Sequence, residues 1–285
     1  MIILEIIGGL GNQMFQYALY RKLLSLGKDV KLDISSFASK QEHRYFELDQ
    51  FGVDYELAAL KDIRRLSDHN LSLVGKLQKK LGFQKNTVYY ENLDLGYQPI
   101  IFDMDEIYLS GYWQSELYFS DIRNELLSLY RFPQNLNENN LKILDKLREG
   151  FSVSVHIRRG DYLAPENNLV YGNICTLEYY HKAILYIREH IEGATFFLFT
   201  NDTDWVHENL YEEGMVIVDC NQGTDAIYDM YLMSQCDANI VANSSFSWWG
   251  AWLNQKNDKI VLAPHKWRNR HDVRDMICED WIKII

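Results

Sequence analysis

Among the 285 residues, four short segments carry side chains that could do chemistry. The first runs from Gly8 to Gln13, where three glycines surround a leucine and two neutral amides, Asn12 and Gln13, follow. Glycines between a strand and a helix let a ligand approach the backbone closely, and a helix N-terminus favours anions. The dinucleotide and P-loop fingerprints do not fit, because Met14 occupies the third glycine position and no Gly-Lys-Ser/Thr follows. The glycines alone indicate only a tight turn, but the two amides suit hydroxyl recognition.

The second segment, His156 to Tyr162, stands at the predicted end of a strand. Alternation places His156 and Arg158 on one side of that strand and Arg159 on the other. An arginine at such a place can hold a phosphate through its planar fork. We expect the second arginine to pair with a carboxylate such as Asp161 and to stiffen the loop. An ion pair that merely closes a turn is the alternative, but two arginines, a histidine and a glycine together favour function.

The third segment, Asn243 to Gly250, follows another predicted strand. Hydroxyls and backbone N–H groups at a helix start form a second kind of phosphate-binding arrangement. An ordinary helix cap accounts for one of these polar residues, but not for three in a row. Trp248, Trp249 and Trp252 lie inside the helix-like run, so we predict that they pack in the core.

The fourth segment is Thr200-Asn201-Asp202, and Asp219 occupies the same position after the next predicted strand. A helix N-cap is a strong alternative for these polar residues. A carboxylate or amide at a strand end could also bind a base edge or a ribose.

Composition excludes several function classes. The formal net charge of −11 argues against a nucleic-acid partner, which needs a basic surface. The cysteines have no C-x-x-C spacing, so we expect reduced thiols. No cluster with metal-ligand spacing and no Gly-x-Ser-x-Gly elbow occurs, so neither a metal site nor a serine triad is expected. Neither a signal peptide nor an apolar run of about 18 residues is present, which predicts a cytosolic protein, at most peripheral on a membrane.

The elements that must position these segments alternate between strand and helix. Strand, glycine turn, helix and strand over the first 33 residues form a βαβ unit, which predicts a parallel sheet. A second alternating set begins at Phe151 and places Lys259 to Leu262 as the last strand. We therefore predict two α/β halves divided near residue 150, with the ligand between them. The basic stretch Lys61 to Lys85 is typical of a solvated helical hairpin, or else of a surface that meets an anionic membrane.

Taken together, the sequence resembles glycosyltransferase family 11, the α-1,2-fucosyltransferases, in their bacterial form. The resemblance rests on GGLGNQMFQYA from Gly8, HIRRGDY from His156, FLFTNDTDW from Phe197 and NSSFSWWGAWL from Asn243. It implies a GT-B type fold, with two Rossmann-like domains facing a central cleft. Residues 1–150 would form the acceptor-side domain, and residues 151–285 the GDP-fucose-binding domain.

The resemblance also implies roles for individual residues. Arg158 would hold the β-phosphate, Asn12 would lie near the reacting centre, and Glu166 is the candidate general base. From the residue types we expect Arg159 and Asp161 to support the loop, and Gln13 and Trp113 to contact the acceptor. The resemblance and the residue types together give the expected donor-binding residues: Gly9, Gly11, His156, Arg158, Asn201, Asp202, Asp219, Asn243, Ser244, Ser245 and Phe246.

The function implied is transfer of L-fucose from GDP-L-fucose to the 2-hydroxyl of a terminal galactose, with inversion and without a metal or other cofactor. The acceptor would be a galactose-terminated oligosaccharide or a lipid-linked glycan, such as an O-antigen. Two alternatives remain open: a transferase that uses another nucleotide sugar, and a non-catalytic galactoside-binding protein on the same fold.

Overall fold

A computed structural model describes residues 1–38, 45–68, 85–270 and 274–285. The chain divides into two units, Met1–Arg131 (unit 1) and Phe132–Ile285 (unit 2). Each unit is built on a sheet whose described strands all pair in parallel. The predicted class is therefore confirmed: the chain is α/β, with two parallel-sheet units of the kind expected for the GT-B type.

Unit 1 has a four-stranded sheet in the order β2-β1-β4-β3. Its strands are Ile2–Glu5 (β1), Val30–Asp33 (β2), Val88–Tyr90 (β3) and Ile107–Ser110 (β4). Its described α-helices are Leu10–Ser25 (α1), Leu60–Leu66 (α2) and Arg123–Leu129 (α3). Short 3-10 turns occupy Ser35–Ala38, Leu48–Phe51, Pro99–Asp103, Glu116–Tyr118 and Ser120–Ile122.

Unit 2 has a six-stranded sheet in the order β10-β9-β8-β5-β6-β7. Its strands are Ser152–Ile157 (β5), Thr195–Thr200 (β6), Val216–Val218 (β7), Ala238–Ile240 (β8), Ile260–Pro264 (β9) and Ile282–Ile284 (β10). Its α-helices are Glu138–Leu147 (α4), Pro165–Tyr171 (α5), Leu177–His190 (α6), Thr203–Asn209 (α7), Ala226–Gln235 (α8) and Ser245–Trp252 (α9). Short 3-10 turns occupy Gly160–Leu163, Gly223–Asp225 and Arg274–Met276.

Both sheets have a point at which the strand order reverses. In unit 2 the chain moves outward from β5 through β6 to β7, then returns to place β8 on the other side of β5. Unit 1 does the same, with β2 and β4 on opposite sides of β1. Ligands of parallel α/β sheets bind outside the carboxyl ends of the strands at such a point. We call the loops after β1 and β4 the unit 1 edge, and the loops after β5 and β8 the unit 2 edge.

The division between the units corrects the predicted boundary at residue 150. Helix α4 belongs to unit 2, because the side chains of its Asn140 and of Asn221 exchange two hydrogen bonds of 2.9 and 2.8 Å. The ring of Phe132 also packs on Tyr231, 5.3 Å away between centroids. The change of unit therefore comes before this helix, in a stretch without regular secondary structure that hydrophobic periodicity does not mark.

One further expectation needs correction. Lys259 to Leu262 does not end the sheet, because β10 adds a strand beside β9. In unit 1, two 3-10 turns precede α3. In unit 2, the stretch after the arginine motif is partly helical, since Pro165 stands at the first position of α5.

The cores follow the predicted patterns. Every residue of β5 is buried, as expected for a central parallel strand covered on both faces. Trp248, Trp249 and Trp252 are buried, and the rings of Trp248 and Trp252 stack 5.9 Å apart, which confirms their predicted core role. The four cysteines carry free thiols, also as predicted. Among the described helices, none combines the length and apolar character that crossing a membrane requires.

The basic stretch Lys61 to Lys85 is described only at its ends. Helix α2 covers its start, and Lys85 donates a hydrogen bond of 2.7 Å to the carbonyl of Ser67. Its centre lies outside the described residues, and so do the side chains of Asp161 and Arg274.

Candidate functional site

The unit 2 edge brings together the second and third sequence motifs. His156 is the penultimate residue of β5, and Asn243 follows β8, the strand paired with β5 at the reversal. The two loops are joined by the hydroxyl of Tyr162, which donates a hydrogen bond of 2.9 Å to the carbonyl of Asn243. Two segments 81 residues apart in the sequence thus form one edge.

His156 is buried at this edge, with 7% of its surface exposed. Its ring lies 5.8 Å from the ring of Phe246 between centroids, and Tyr180 anchors its backbone carbonyl through a 3.1 Å hydrogen bond. Burial, together with the nearby charge of Arg158, lowers the pKa of His156 from 6.5 to about 3. The imidazole is therefore neutral near pH 7. Its buried Nδ1 has no hydrogen-bond partner among the described residues, so a polar ligand atom could pair with it.

Arg158 lies just beyond β5 and is half-buried. Its guanidinium lies 5.8 Å from the ring centroid of Tyr162, within the range of a cation–π contact. The same tyrosine joins the two loops, so Arg158 stacks on the residue that fixes the shape of the edge. Its predicted contact with a phosphate stays a prediction.

Arg159 is committed to the protein itself. Its Nε donates a hydrogen bond of 2.9 Å to Asp202 Oδ2, and its guanidinium stacks on Trp205 at 4.2 Å. Its backbone N–H donates to Asn201 Oδ1 at 3.1 Å. The predicted supporting role of Arg159 fits this geometry, but the carboxylate it meets is Asp202.

The same contacts occupy Asn201 and Asp202, which we had predicted to bind the donor. The second oxygen of Asp202 accepts from the N–H of Trp205 at 3.2 Å and caps helix α7. Both carboxylate oxygens therefore have partners inside unit 2. The geometry favours the N-cap alternative over contact with a base or ribose.

Asn243 is likewise structural. Its buried amide nitrogen donates to the carbonyls of Tyr171 and Trp267 at 3.0 and 3.2 Å. Its backbone N–H donates to the thiol sulfur of Cys175 at 3.3 Å. Asn243 thus ties together three segments of the edge, whereas the sequence pattern suggested contact with the donor.

Ser244 to Phe246 open helix α9 at this edge. The hydroxyl of Ser244 accepts from the N–H of Phe246 at 3.3 Å, as an N-cap does. Ser245 and Phe246 are half-buried, and Phe246 faces His156. The positive end of the helix dipole and the cation of Arg158 therefore belong to the same edge, as anion binding requires.

Asp219 and Glu166 occupy more open positions. Asp219 follows β7, the outer strand of the sheet, and is exposed. Burial raises the pKa of its neighbour Asp229 to about 7; Asn221 opposes that rise with a hydrogen bond, and the charge of Asp219 adds to it. Glu166 is exposed in the first turn of α5. The structure brings neither carboxylate into contact with Arg158.

The unit 1 edge is built from the glycine run. Gly8 has a φ of 80°, and Gly9 caps α1 without a side chain; Gly11, in the first turn of α1, is buried. Asn12 is half-buried, and its Oδ1 accepts a hydrogen bond of 2.7 Å from Gln114 Nε2. Gln114 follows β4, so the two amides come from the two loops of this edge.

Gln13 and Trp113 have internal roles in place of the predicted contact with an acceptor. Gln13 is fully buried; its Nε2 donates to the carbonyls of Gly8 and Tyr45 at 2.9 and 2.8 Å, and its Oε1 accepts from Glu47 at 2.8 Å. Trp113 is also fully buried and packs edge-on against Tyr118, with 5.7 Å between the ring centroids. Neither side chain offers a surface on which a sugar could stack.

Sequence reasoning missed several polar residues of the unit 1 edge. Gln16, one helical turn after Gln13, accepts from the N–H of Ile7 and donates to the carbonyl of Gly111, both at 3.0 Å. Buried Glu5 and Asp33 pair in register at the ends of β1 and β2. A charged residue inside an otherwise apolar parallel strand was the available signal for these carboxylates. Gln114 and Glu91 carried no local signal.

The sequence is also similar to known proteins and matches a family model. The family model Glycosyl transferase family 11 matches residues 99–285. An alpha-1,2-colitosyltransferase of Escherichia coli is 32% identical, covering 99% of this chain and 98% of its own length. The O-antigen biosynthesis glycosyltransferase WbnK of the same organism is 33% identical over 97% and 98%. The galactoside alpha-(1,2)-fucosyltransferase 1 of Leontopithecus chrysomelas is 29% identical over 54% of this chain and 45% of its own.

Proposed function

The chain belongs to glycosyl transferase family 11 and is a glycosyltransferase, and from this we propose that it transfers L-fucose from GDP-β-L-fucose to the 2-hydroxyl of a terminal galactose. The product would carry an α-1,2 linkage, formed with inversion. The observation that carries the proposal is the unit 2 edge, where Arg158 and the start of α9 present positive charge beside a neutral His156. Similarity to proteins named for α-1,2 transfer supports the linkage.

In this proposal Arg158 stabilises the leaving group. The bond between C1 of fucose and the β-phosphate oxygen breaks, and negative charge grows on the diphosphate. A positioned donor aimed at such charge is worth about 3–4 kcal/mol in the transition state. Arg159 does not share the role, because its guanidinium is held by Asp202 and Trp205.

His156 contributes a hydrogen bond without a charge. Its depressed pKa keeps the imidazole neutral, so it adds no cation to the pocket. We propose that Nδ1 of His156, which is buried beside Phe246, forms a hydrogen bond with GDP-fucose. The backbone N–H groups at the start of α9 would hold the phosphates from the other loop.

The acceptor hydroxyl must lose its proton as it attacks C1. Glu166 is our candidate for the base, with Asp161 as the alternative, because both come within eight residues after Arg158 in the chain. If Glu166 is the base, Glu166→Gln lowers kcat about 100-fold and removes the acid limb of the pH–rate profile. A variant with an unchanged profile would exclude Glu166.

We propose that the reaction needs no metal or other cofactor, because Arg158 and the helix start supply the positive charge. Full activity in the presence of EDTA is the expected result. Loss of turnover in EDTA, with recovery on adding a divalent cation, would contradict this part of the proposal.

The proposed acceptor is a galactose-terminated oligosaccharide or a lipid-linked glycan, and similarity to an O-antigen glycosyltransferase supports the second. We assign its binding to unit 1, whose edge carries amides. A cytoplasmic enzyme that meets the membrane only at its surface would suit a lipid-linked acceptor.

A second candidate donor is favoured by a specific similarity. The first relative described above is named for transfer of colitose, which is L-fucose without its 3-hydroxyl. The two donors share the GDP leaving group, so the unit 2 edge would serve both. Direct competition between GDP-fucose and GDP-colitose separates them by the ratio of kcat/KM.

The test of the proposal is a transfer reaction with GDP-fucose and a panel of galactosides, analysed by NMR for the new linkage. An α-1,2-fucosyl product is the expected result. GDP, but not UDP or ADP, should raise the Tm. Folded protein that transfers no sugar to any galactoside would overturn the acceptor assignment, and stabilisation by UDP alone would overturn the donor.

A further inference from the structure

We propose that Asn12 and Gln114 form a binding site for one hydroxyl of the acceptor sugar, and that Glu91 is the positioning residue that holds this site in shape. The inference deepens the proposed function and rests on it. In this proposal Gln114 contacts the acceptor, a role that the sequence predicts for Gln13 and Trp113.

The two amides come from the two loops of the unit 1 edge. Gln114 Nε2 donates a hydrogen bond of 2.7 Å to Asn12 Oδ1, and both side chains are half-exposed. In the described part of the chain, no group accepts a hydrogen bond from Asn12 Nδ2. An amide whose oxygen is already held presents its N–H groups in a fixed direction, which suits a hydroxyl oxygen.

The direction of Asn12 is fixed from below by Gly8. A Cβ added to Gly8 would lie 2.6 Å from Asn12 Nδ2, so the amide rests directly on the glycine backbone. The φ of 80° at Gly8 is also one that other residues rarely adopt. These features explain why a glycine precedes Asn12 at this spacing.

Glu91 holds the loop that carries Gln114. Its carboxylate accepts hydrogen bonds from the N–H of Tyr112 at 2.7 Å and from the N–H of Trp113 at 3.1 Å. Trp113 has a φ of 55°, which is uncommon for a residue other than glycine. Such a conformation persists where its surroundings hold it, and it places the next residue, Gln114, over Asn12.

Gly111 shows how closely Glu91 covers this loop. A Cβ at Gly111 would collide with Glu91 Cβ and would lie 2.8 Å from Glu91 Oε2. The carbonyl of Gly111 also accepts from Gln16 at 3.0 Å. The loop is therefore fixed on both sides, as a preformed sugar site requires.

The first experiment uses Asn12→Asp, which keeps the oxygen that accepts from Gln114 but removes the Nδ2 donor. The acceptor KM should rise about tenfold, and the donor KM should stay unchanged. The measurement is then repeated with galactosides that each lack one hydroxyl other than the 2-hydroxyl, because an acceptor without the 2-hydroxyl has no nucleophile. The penalty should vanish for the one acceptor that lacks the hydroxyl bound by Asn12, because a general effect of the new charge would persist for every acceptor.

The second experiment compares Glu91→Ala with Glu91→Gln, and uses Glu56→Ala as the control at an exposed carboxylate of the same unit. Glu91→Ala should raise the acceptor KM about fivefold or more and leave GDP binding unchanged. Glu91→Gln keeps one oxygen for the two N–H groups and should recover part of the loss. A merely structural role would instead lower the Tm and move the donor and acceptor constants together, which would overturn the assignment of Glu91.

The two levels of inference fail in different ways. If the wild-type protein makes no fucosylated product, the proposed function fails and this inference fails with it. If product forms but the Asn12→Asp penalty is equal for every deoxygenated acceptor, the proposed function stands and the hydroxyl site at Asn12 and Gln114 is excluded.

Discussion

In unit 1 the loops after β1 and β4 present amides, and the carboxylate of Glu91 holds the second loop. In unit 2 the loops after β5 and β8 present Arg158, a neutral His156 and a helix start. The architecture of the two edges is the same: a parallel sheet whose strand order reverses at its centre. The chemistry therefore comes from the loops and not from the sheets. Neutral amides suit hydroxyls, and a cation beside helix N–H groups suits a diphosphate.

The two edges also differ in how they are held. In unit 1 the carboxylate of Glu91 accepts hydrogen bonds from two backbone N–H groups and supports the positive φ of Trp113. In unit 2 an ion pair between Arg159 and Asp202, together with the amide of Asn243, fixes the loops. Arg158 and Arg159 are adjacent in the sequence, yet Arg159 is held by Asp202 and Trp205, whereas Arg158 is the residue that we propose for the diphosphate.

The largest effect is expected when each of these two arginines is replaced by alanine in turn. Arg158→Ala should lower kcat about 1000-fold while unfolding stays cooperative, because it removes the cation from the leaving group. Arg159→Ala should mainly lower the free energy of unfolding, because it removes the ion pair with Asp202 and the stacking on Trp205. Steady-state kinetics and urea unfolding on both variants check this. Near-normal turnover in Arg158→Ala would remove that residue from the mechanism.

The next effect in size is the pH dependence of stability at His156. The folded protein binds this proton only near pH 3, whereas the unfolded chain binds it near pH 6.5. Stability is therefore full above the unfolded pKa and falls as the pH drops through the window between the two values. From about pH 7 to about pH 5 the loss attributable to His156 is about 2 kcal/mol.

Urea unfolding at those two pH values checks this, with His156→Gln as the variant and His181→Gln as the control at an exposed histidine. The slope of stability against pH should flatten in His156→Gln and not in the control. Equal slopes in all three proteins would show that His156 is not held neutral by the fold.

The smallest expected effect is the loss of stability when a glycine at either edge is replaced by alanine. Gly111→Ala forces a new methyl group onto the stem of Glu91 and should lower stability by about 1.5 kcal/mol. At Gly160 the obstacle is the tip of exposed Asn201, which can move, so the alanine variant should cost about 1 kcal/mol, mainly from the positive φ of 23°. Gly150→Ala has open space around it and is the control. A larger loss at Gly160 than at Gly111 would show that the unit 2 edge is the more rigid one.

The sequence predicted the fold better than it predicted the site. Strands and helices with strong apolar periodicity, such as β5 and α6, appear within a residue or two of their expected bounds. The short outer strands β3 and β10 were not predicted, whereas β7 and β8, which are also three residues long, were. The boundary between the units was missed because α4 is polar on one side and binds unit 2 through Asn140.

At the site, the sequence predicted that three features lie at one edge: His156, Arg158 and the segment from Ser244 to Phe246. The reason is that residues at the ends of adjacent parallel strands lie at the same edge of the sheet. The sequence could not separate ligand contacts from internal ones. Asn201, Asp202, Asn243 and Gln13 are all residue types that bind ligands, yet each makes side-chain hydrogen bonds within the protein. Hydrogen-bond partners far along the chain decide that question, and a local motif does not contain them.

By itself, then, the sequence determined the α/β class, the glycine turns, the core tryptophans and the resemblance that names the family. Those properties depend on periodicity, on backbone freedom and on runs of residues that are contiguous in the chain. Only the tertiary structure decided which polar side chains remain for a substrate. Arg159 donates a hydrogen bond to the carboxylate of Asp202, 43 residues away, so it is not available to a substrate. Gln114 donates a hydrogen bond to Asn12, 102 residues away. Pairing over such distances is set by the order of the strands, which no segment of the chain specifies alone.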